Sequence, residues 1–212
     1  MKKLFAAFAL STLAAAAAHA GPIESLENFI RTAKSGHADF TQVITAPSKN
    51  GEAARTKTST GTFDFQRPNR FRFDYRKPFE QTIVADGQTL WLHDKDLNQV
   101  TQRKQAKVLG ATPAALIAAS PDLETLKKDF DLQALPDKDG LQWVQATPRV
   151  KEGQLANMKV GFRGEQLAAL DILDSFGQRS LITFNGLQVN AGVGADAFRF
   201  QPPKGADVVQ AP

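Results

Sequence analysis

Residues 61–76 read Gly-Thr-Phe-Asp-Phe-Gln-Arg-Pro-Asn-Arg-Phe-Arg-Phe-Asp-Tyr-Arg. Side chains in a strand point alternately to opposite faces. Gly61, Phe63, Phe65 and Arg67 therefore share one face, and Thr62, Asp64 and Gln66 the other. Pro68-Asn69 supplies a turn, after which Phe71, Phe73 and Tyr75 fall on one side of a second strand and Arg70, Arg72, Asp74 and Arg76 on the other. Two adjoining strands, each with a ring-lined face and a polar face, describe a curved apolar wall wetted on its outside. Arg67 is the odd member, a permanent cation at the end of an apolar stripe. Such a wall either packs a closed core or borders a hollow that takes a ligand.

Outward from this pair, the same period recurs. Pro22 to Lys34 reads as an amphipathic helix, with Ile23, Leu26, Ile30 and Ala33 at three-to-four spacing, Phe29 widening the stripe and Pro22 suited to the first position. Ser35-Gly36 ends it, and His37 to Thr45 alternates as a first strand with Ala38, Phe40 and Ile44 on one face. The polar stretch from Ala46 to Thr60 reads as a loop. Downstream, strands are expected at 81–85, 89–93 and 98–102, the first two joined by an Asp86-Gly87 turn. Thr112-Pro113 and Ser120-Pro121 each place a capping residue before proline and open short helices, through Ala119 and Lys128. Further strands fall at 130–134, 141–147, 157–162, 168–173 and 180–184, separated by Asp139-Gly140, Arg163-Gly164, Phe176-Gly177 and Asn185-Gly186, with a last strand at 197–200. About 10–11 short strands with glycine turns and few helices predict a mainly β chain, a meandering antiparallel sheet curled toward a barrel.

Met1 to Ala20 reads as a secretory signal peptide: Lys2 and Lys3, an apolar run from Leu4 to Ala18, then Ala18-His19-Ala20 before the expected cleavage after Ala20. That run is short for a membrane span. The expectation is an exported chain with one domain over residues 21–212, of a size sufficient for a good core. Cysteine is absent, which removes disulfides, thiolate metal sites, a catalytic thiol and a lipidated cysteine. Loss of Lys2 and Lys3 lowers the formal net charge from +4 to +2, and the remaining charges are interspersed, so nucleic acid is not an expected partner. Phenylalanine is the unusual count, 15 against two Trp and one Tyr.

Catalytic signatures are missing. Beyond residue 20 the histidines are His37 and His93, neither with a partner at metal-ligand spacing. There is no Gly-x-Ser-x-Gly elbow, no phosphate-cradling glycine loop, and Asp94-Lys95-Asp96 lacks the remaining ligands of a calcium loop. The chain reads as no enzyme, with no cofactor and no metal. What remains is the Phe63, Phe65, Phe71, Phe73 wall, the segment Pro113-Ala114-Ala115-Leu116-Ile117-Ala118-Ala119, and Arg67. A short helix apolar on every side fits a removable cover over an apolar hollow, and the planar fork of Arg67 can bond the exposed carbonyls at the end of such a cover. The plainer alternative has the rings and Leu116-Ile117 closing an ordinary core while Arg67 pairs with a surface carboxylate.

An ordered series of short motifs resembles the periplasmic outer-membrane lipoprotein carriers, the LolA-type chaperones. It comprises Phe40-Thr41-Gln42; Gly61 through Phe73; Val84-Ala85-Asp86-Gly87 with Leu90-Trp91; Asp94 through Thr101; Thr112-Pro113 with Leu116-Ile117; and Phe198-Arg199-Phe200 before Pro202-Pro203-Lys204-Gly205. The resemblance implies an unclosed antiparallel β-barrel, covered by short lid helices and an N-terminal helix, whose apolar cavity accepts the acyl chains of lipidated proteins. The cavity would be lined by Leu26, Ile30, Phe40, Phe63, Phe65, Phe71, Phe73, Trp91, Leu116 and Ile117. Arg67 would be the lid latch, and Phe71 is matched to a position associated with handing cargo on. Implied partners are an inner-membrane ABC-type lipoprotein-releasing complex and an outer-membrane lipoprotein receptor, with the carrier itself a monomer. The alternative reading is a periplasmic lipid- or lipoprotein-sensing open-barrel regulator, which usually carries a second domain; the pathway's receptor would need a lipidated cysteine. Arg70, Arg72, Arg76 and Lys77 form a basic outer face that is either a docking surface or a solvated strand face.

Overall fold

β-Branched and aromatic residues alternating with polar ones favour a pleated, half-buried surface, and a single twelve-stranded sheet results. The computed structural model describes residues 21–48, 53–108, 121–150, 154–194 and 196–211. Its strands are β1 (Ser35–Thr45), β2 (Thr56–Gln66), β3 (Arg70–Lys77), β4 (Gln81–Asp86), β5 (Thr89–Asp94), β6 (Gln99–Lys104), β7 (Phe130–Lys138), β8 (Leu141–Pro148), β9 (Leu155–Arg163), β10 (Gln166–Asp174), β11 (Arg179–Val189) and β12 (Asp207–Gln210). Helices among the described residues are α1 (Pro22–Thr32), α2 (Gln105–Val108) and α3 (Leu123–Asp129).

The strand order is β12-β6-β5-β4-β3-β2-β1-β11-β10-β9-β8-β7, antiparallel throughout except for β12 beside β6. The sheet is unclosed, ending in β12 on one side and β7 on the other. Its inner face carries the main core, in which Phe40, Phe63, Phe65, Phe162 and Leu170 are fully buried. Each such ring withdrawn from water contributes about 1.5–3 kcal/mol. α1 packs across this face with Leu26 and Ile30 inward, its Phe29 ring 6.0 Å from Phe65 and 6.2 Å from Phe162. Where β2 meets β3, a Cβ on Gly61 would lie 2.0 Å from the Asp74 carbonyl oxygen, so only glycine lets the two strands approach there.

Four sequence readings are corrected. β2 starts at Thr56, not after Thr60: Thr56–Thr60 are β-branched at alternate positions and pair with Thr45 through Thr41 of β1. Asn185-Gly186 lies inside β11, where a register shift opposite His37 and Asp39 accommodates Gly186 at φ +63°. The second of the two expected helices begins at Leu123 with Asp122 as its cap, the side chain accepting from the Thr125 N–H at 2.7 Å, rather than at Ser120-Pro121. Residues 197–200 form no strand; β12 is the last, and it brings the number to twelve. The expected helix over 113–119 lies outside the described residues, as do Leu116 and Ile117.

The segment after β11 straps the outer face instead. Arg72 Nη1 donates to the Ala197 carbonyl at 3.2 Å, the Arg70 guanidinium lies 5.8 Å from the Phe198 ring, and Asn98 Nδ2 donates to the Gly205 carbonyl at 2.9 Å. Beneath it Val84 and Val100 are fully buried.

Candidate functional site

Along the inner face of β3, β4 and β5 the side chains border open space. Phe71, Phe73 and Tyr75 come from β3, Ile83 from β4, and Leu90 and Leu92 from β5; Leu170, Ile172 and Ile182 close the opposite side from β10 and β11. The hollow measures about 360 Å³, within the roughly 300–1,000 Å³ usual for small-molecule sites. Register explains the convergence: Phe73 pairs with Ile83, Ile83 with Leu92, and Ala85 with Leu90, so one row of the pleat points inward on three neighbouring strands. Burial pushes the Tyr75 phenol up to about 12, which keeps it a neutral hydroxyl at physiological pH.

The residues expected to line a cavity divide into four groups. Phe71 and Phe73 border the hollow. Leu26, Ile30, Phe40, Phe63 and Phe65 belong to the packed core beside it, with Phe63 4.5 Å from Phe73 and 5.3 Å from Phe184, ring centre to ring centre. Trp91 is on the other face of β5: its Nε1 donates to Asp86 Oδ2 at 3.1 Å and its ring lies 5.5 Å from Phe200 under the strap. Leu116 and Ile117 are outside the described residues. Sequence reasoning missed Tyr75, Ile83, Leu90 and Leu92 as lining. The alternation Leu90-Trp91-Leu92 carried that signal, because the two leucines share a phase and the tryptophan opposes it.

Arg67 bonds a carbonyl at the end of α1, while the bond expected of it to the 113–119 cover lies outside the described residues. Its Nε donates to the Ala33 carbonyl at 2.8 Å and its backbone N–H to that of Lys34 at 2.8 Å. The guanidinium lies 5.8 Å from the Phe29 ring and 6.0 Å from Phe65, a cation over aromatic faces. Burial lowers its pKa to about 10, so it stays charged at neutral pH.

The basic outer face is partly covered. Arg72 is committed to Asp74 and Ala197, Arg70 stacks on Phe198, and Arg76 lies 3.7 Å from Asp39. His37 bonds Asp64 at 2.7 Å, while His93 is buried under Phe200 on the opposite side of the sheet from the hollow.

The profile for "Outer membrane lipoprotein carrier protein LolA" matches residues 31–201. A protein of Albidiferax ferrireducens described as an outer-membrane lipoprotein carrier protein is 61% identical over 212 residues, covering 98% of this chain and 99% of the relative. One of the same description from Methylibium petroleiphilum is 56% identical over 197 residues, covering 93% of each. Among solved structures, a LolA superfamily protein from Nitrosomonas europaea aligns over 84% of this chain and 96% of its own, at 11% identity and TM-score 0.49. With the profile spanning most of the chain and full-length relatives above half identity, the chain belongs to the LolA family of outer-membrane lipoprotein carriers.

Proposed function

We propose that the chain is a periplasmic carrier, cleaved after Ala20, that shields the acyl chains of lipidated proteins in the hollow over β3–β5. It would take cargo from an inner-membrane ABC-type releasing complex and deliver it to an outer-membrane receptor, acting as a monomer and performing no reaction on its cargo. The observation that carries this is the hollow: an apolar space of about 360 Å³ bordered by rings and aliphatic side chains inside an unclosed sheet. Burying each acyl methylene contributes about 0.8 kcal/mol, so a lipid anchor does not cross water uncovered. Rings and branched side chains offer contact area without demanding one chain geometry. Delivery requires only that the final membrane site bind the anchor more strongly.

Within the proposal, Phe71, Phe73, Ile83, Leu90 and Leu92 contact the hydrocarbon, and Leu116 and Ile117 cover it. Leu26, Ile30, Phe40, Phe63 and Phe65 act from behind, as the packed wall that fixes the lining rings, and Trp91 acts from the outer face by anchoring β5. Arg67 is the latch, bridging the end of α1 to the 113–119 cover when the hollow is empty. The planar guanidinium carries five N–H donors in a fixed fork, a geometry suited to carbonyls on two elements at once.

Purification from the periplasm should recover lipid-modified proteins bound to the carrier, detected by mass spectrometry. Recovery of none, together with no uptake of an apolar fluorescent probe, would remove the proposal. Arg67→Leu should load normally and unload slowly to a receptor, because the return to the latched state is lost. Unloading at the wild-type rate would assign Arg67 to α1 alone.

A further inference from the structure

Followed along the strands, the inner face changes character at one level. β1 runs Ala38, Phe40, then Gln42; β2, read backwards, runs Phe65, Phe63, Gly61, then Ser59. β3 runs Phe71, Phe73, then Tyr75; β4, read backwards, Ala85, Ile83, then Gln81. β5 runs Leu90, Leu92, then Asp94, and β11, read backwards, Phe184, Ile182, then Ser180. Gln42 pairs with Ser59, and Tyr75 with Gln81 and Gln81 with Asp94, while Tyr75 sits opposite Gly61 and Ser180 opposite Ile44, so the row consists of two paired runs that border one opening. Beyond the row a second space of about 460 Å³ opens, and Gln42 and Tyr75 border both spaces.

We infer that this row is a polar subsite for the ester or amide carbonyls that terminate acyl chains, set so that hydrocarbon fills the inner hollow while the linkage sits at the row. The inference rests on the carrier reading. The chemistry of the row matches its ligand. A carbonyl in an ester or amide accepts hydrogen bonds, and the row supplies donors. Gln42 Nε2 gives one N–H to Ser180 Oγ at 2.7 Å and keeps a second. Among the described residues the Tyr75 and Ser59 hydroxyls have no hydrogen-bond partner; the Tyr75 side chain is half-buried and Ser59 buried, and neither hydroxyl is sealed off from open space. Polar side chains turned inward on six strands would cost stability in a closed core, since burial without partners is unfavourable. At the neck between two spaces they are placed to meet the polar end of an amphiphile. The outer space is walled by Phe79, with Lys57 Nζ 4.8 Å from its ring centre, and leaves room for the rest of the lipidated residue.

The test compares two probes of equal hydrocarbon, a short peptide bearing dipalmitoylglyceryl-cysteine and its dialkyl ether analogue, which lacks the ester carbonyls. Titrations would use wild type, Tyr75→Phe and Gln42→Leu. Wild type should prefer the ester probe, and each variant should weaken ester binding by about fivefold, the range of a single hydrogen bond, leaving the ether unchanged. Ester binding unaltered in both variants, or equal losses on both probes, would overturn the subsite and leave the carrier reading intact. Failure of wild type to bind either probe would remove the carrier reading and the subsite with it.

Discussion

The inner face of the sheet carries aromatic and aliphatic side chains from one end to the other, yet its two halves differ in what lies over them. Across β7–β10 the α1 side chains Leu26, Phe29 and Ile30 descend onto Met158, Val160 and Phe162, and these residues are essentially sealed from water. Over β3–β5 the row Ile83, Leu90 and Leu92 is only half-buried and borders the hollow. Phe63 and Phe73, 4.5 Å apart, mark the boundary between them. Residue type is therefore not what separates core from cavity here. Among the described residues, the separating factor is whether a helix donates side chains to fill the concavity. A ring in the filled half stabilises the fold through contacts on every side. At the hollow, Phe71 and Phe73 still belong to the buried cluster, whereas the half-buried Ile83, Leu90 and Leu92 have contacts on one side and keep the other available.

The largest effect should separate the halves by stability. Phe65→Ala, in contact with Phe29 and Phe63, should cost about 3–5 kcal/mol in a denaturant titration, through lost burial and a cavity that α1 cannot collapse. Leu92→Ala should cost less than about 1.5 kcal/mol, because one side of Leu92 already faces space. Equal costs would mean that the hollow is packed core and that the division is wrong. A next, smaller effect inverts the substitution. Leu92→Trp should fill the hollow without the strain of overpacking, keep the denaturation midpoint near wild type, and weaken an apolar fluorescent probe by roughly tenfold or more, the equivalent of about two lost methylene contacts. If the variant unfolds while the probe still binds its folded fraction normally, the probe does not enter there.

How much of this could be read in advance follows from what each feature depends on. The β2–β3 pair was legible because alternation is local: Phe63, Phe65, Phe71 and Phe73 all point inward as their phase requires. Trp91, a cavity residue by the resemblance, has the opposite phase to Leu90 and Leu92 and lies on the outer face with Asp86 and Phe200, while the two leucines border the hollow. β12 left no readable pattern: four exposed residues pair in parallel with Gln99–Gln102, and the partner is set by the strap across the outer face. The division of rings into core and lining is tertiary in origin. Phe65 and Phe71 are the same residue type in neighbouring strands, directly paired, and only the seat of α1 distinguishes them. Arg67 illustrates the same limit. Its bond to the end of α1 depends on where that helix is seated in the fold, whereas the bond expected to the 113–119 cover lies outside the described residues.

The smallest predicted effect sharpens the boundary from the hollow's side, through Tyr75, the one tyrosine in the chain. Burial raises its pKa to about 12, so phenolate absorbance near the ultraviolet edge should lag well behind that of a free tyrosine, which titrates near 10. The sign is that of a group that holds its proton more tightly when folded. Its contribution to stability is complete below about pH 10 and is lost as pH rises through about 12. Urea-unfolded protein should show the phenolate appearing near 10, and a stopped-flow pH jump would read the folded value before alkaline unfolding intervenes. A dialkyl ether probe, which brings hydrocarbon and no carbonyl, should displace water from the hollow and delay the phenolate further. Early titration in the folded chain, near 10 and indifferent to the probe, would place the hydroxyl in bulk water and take away the boundary between greasy and polar space.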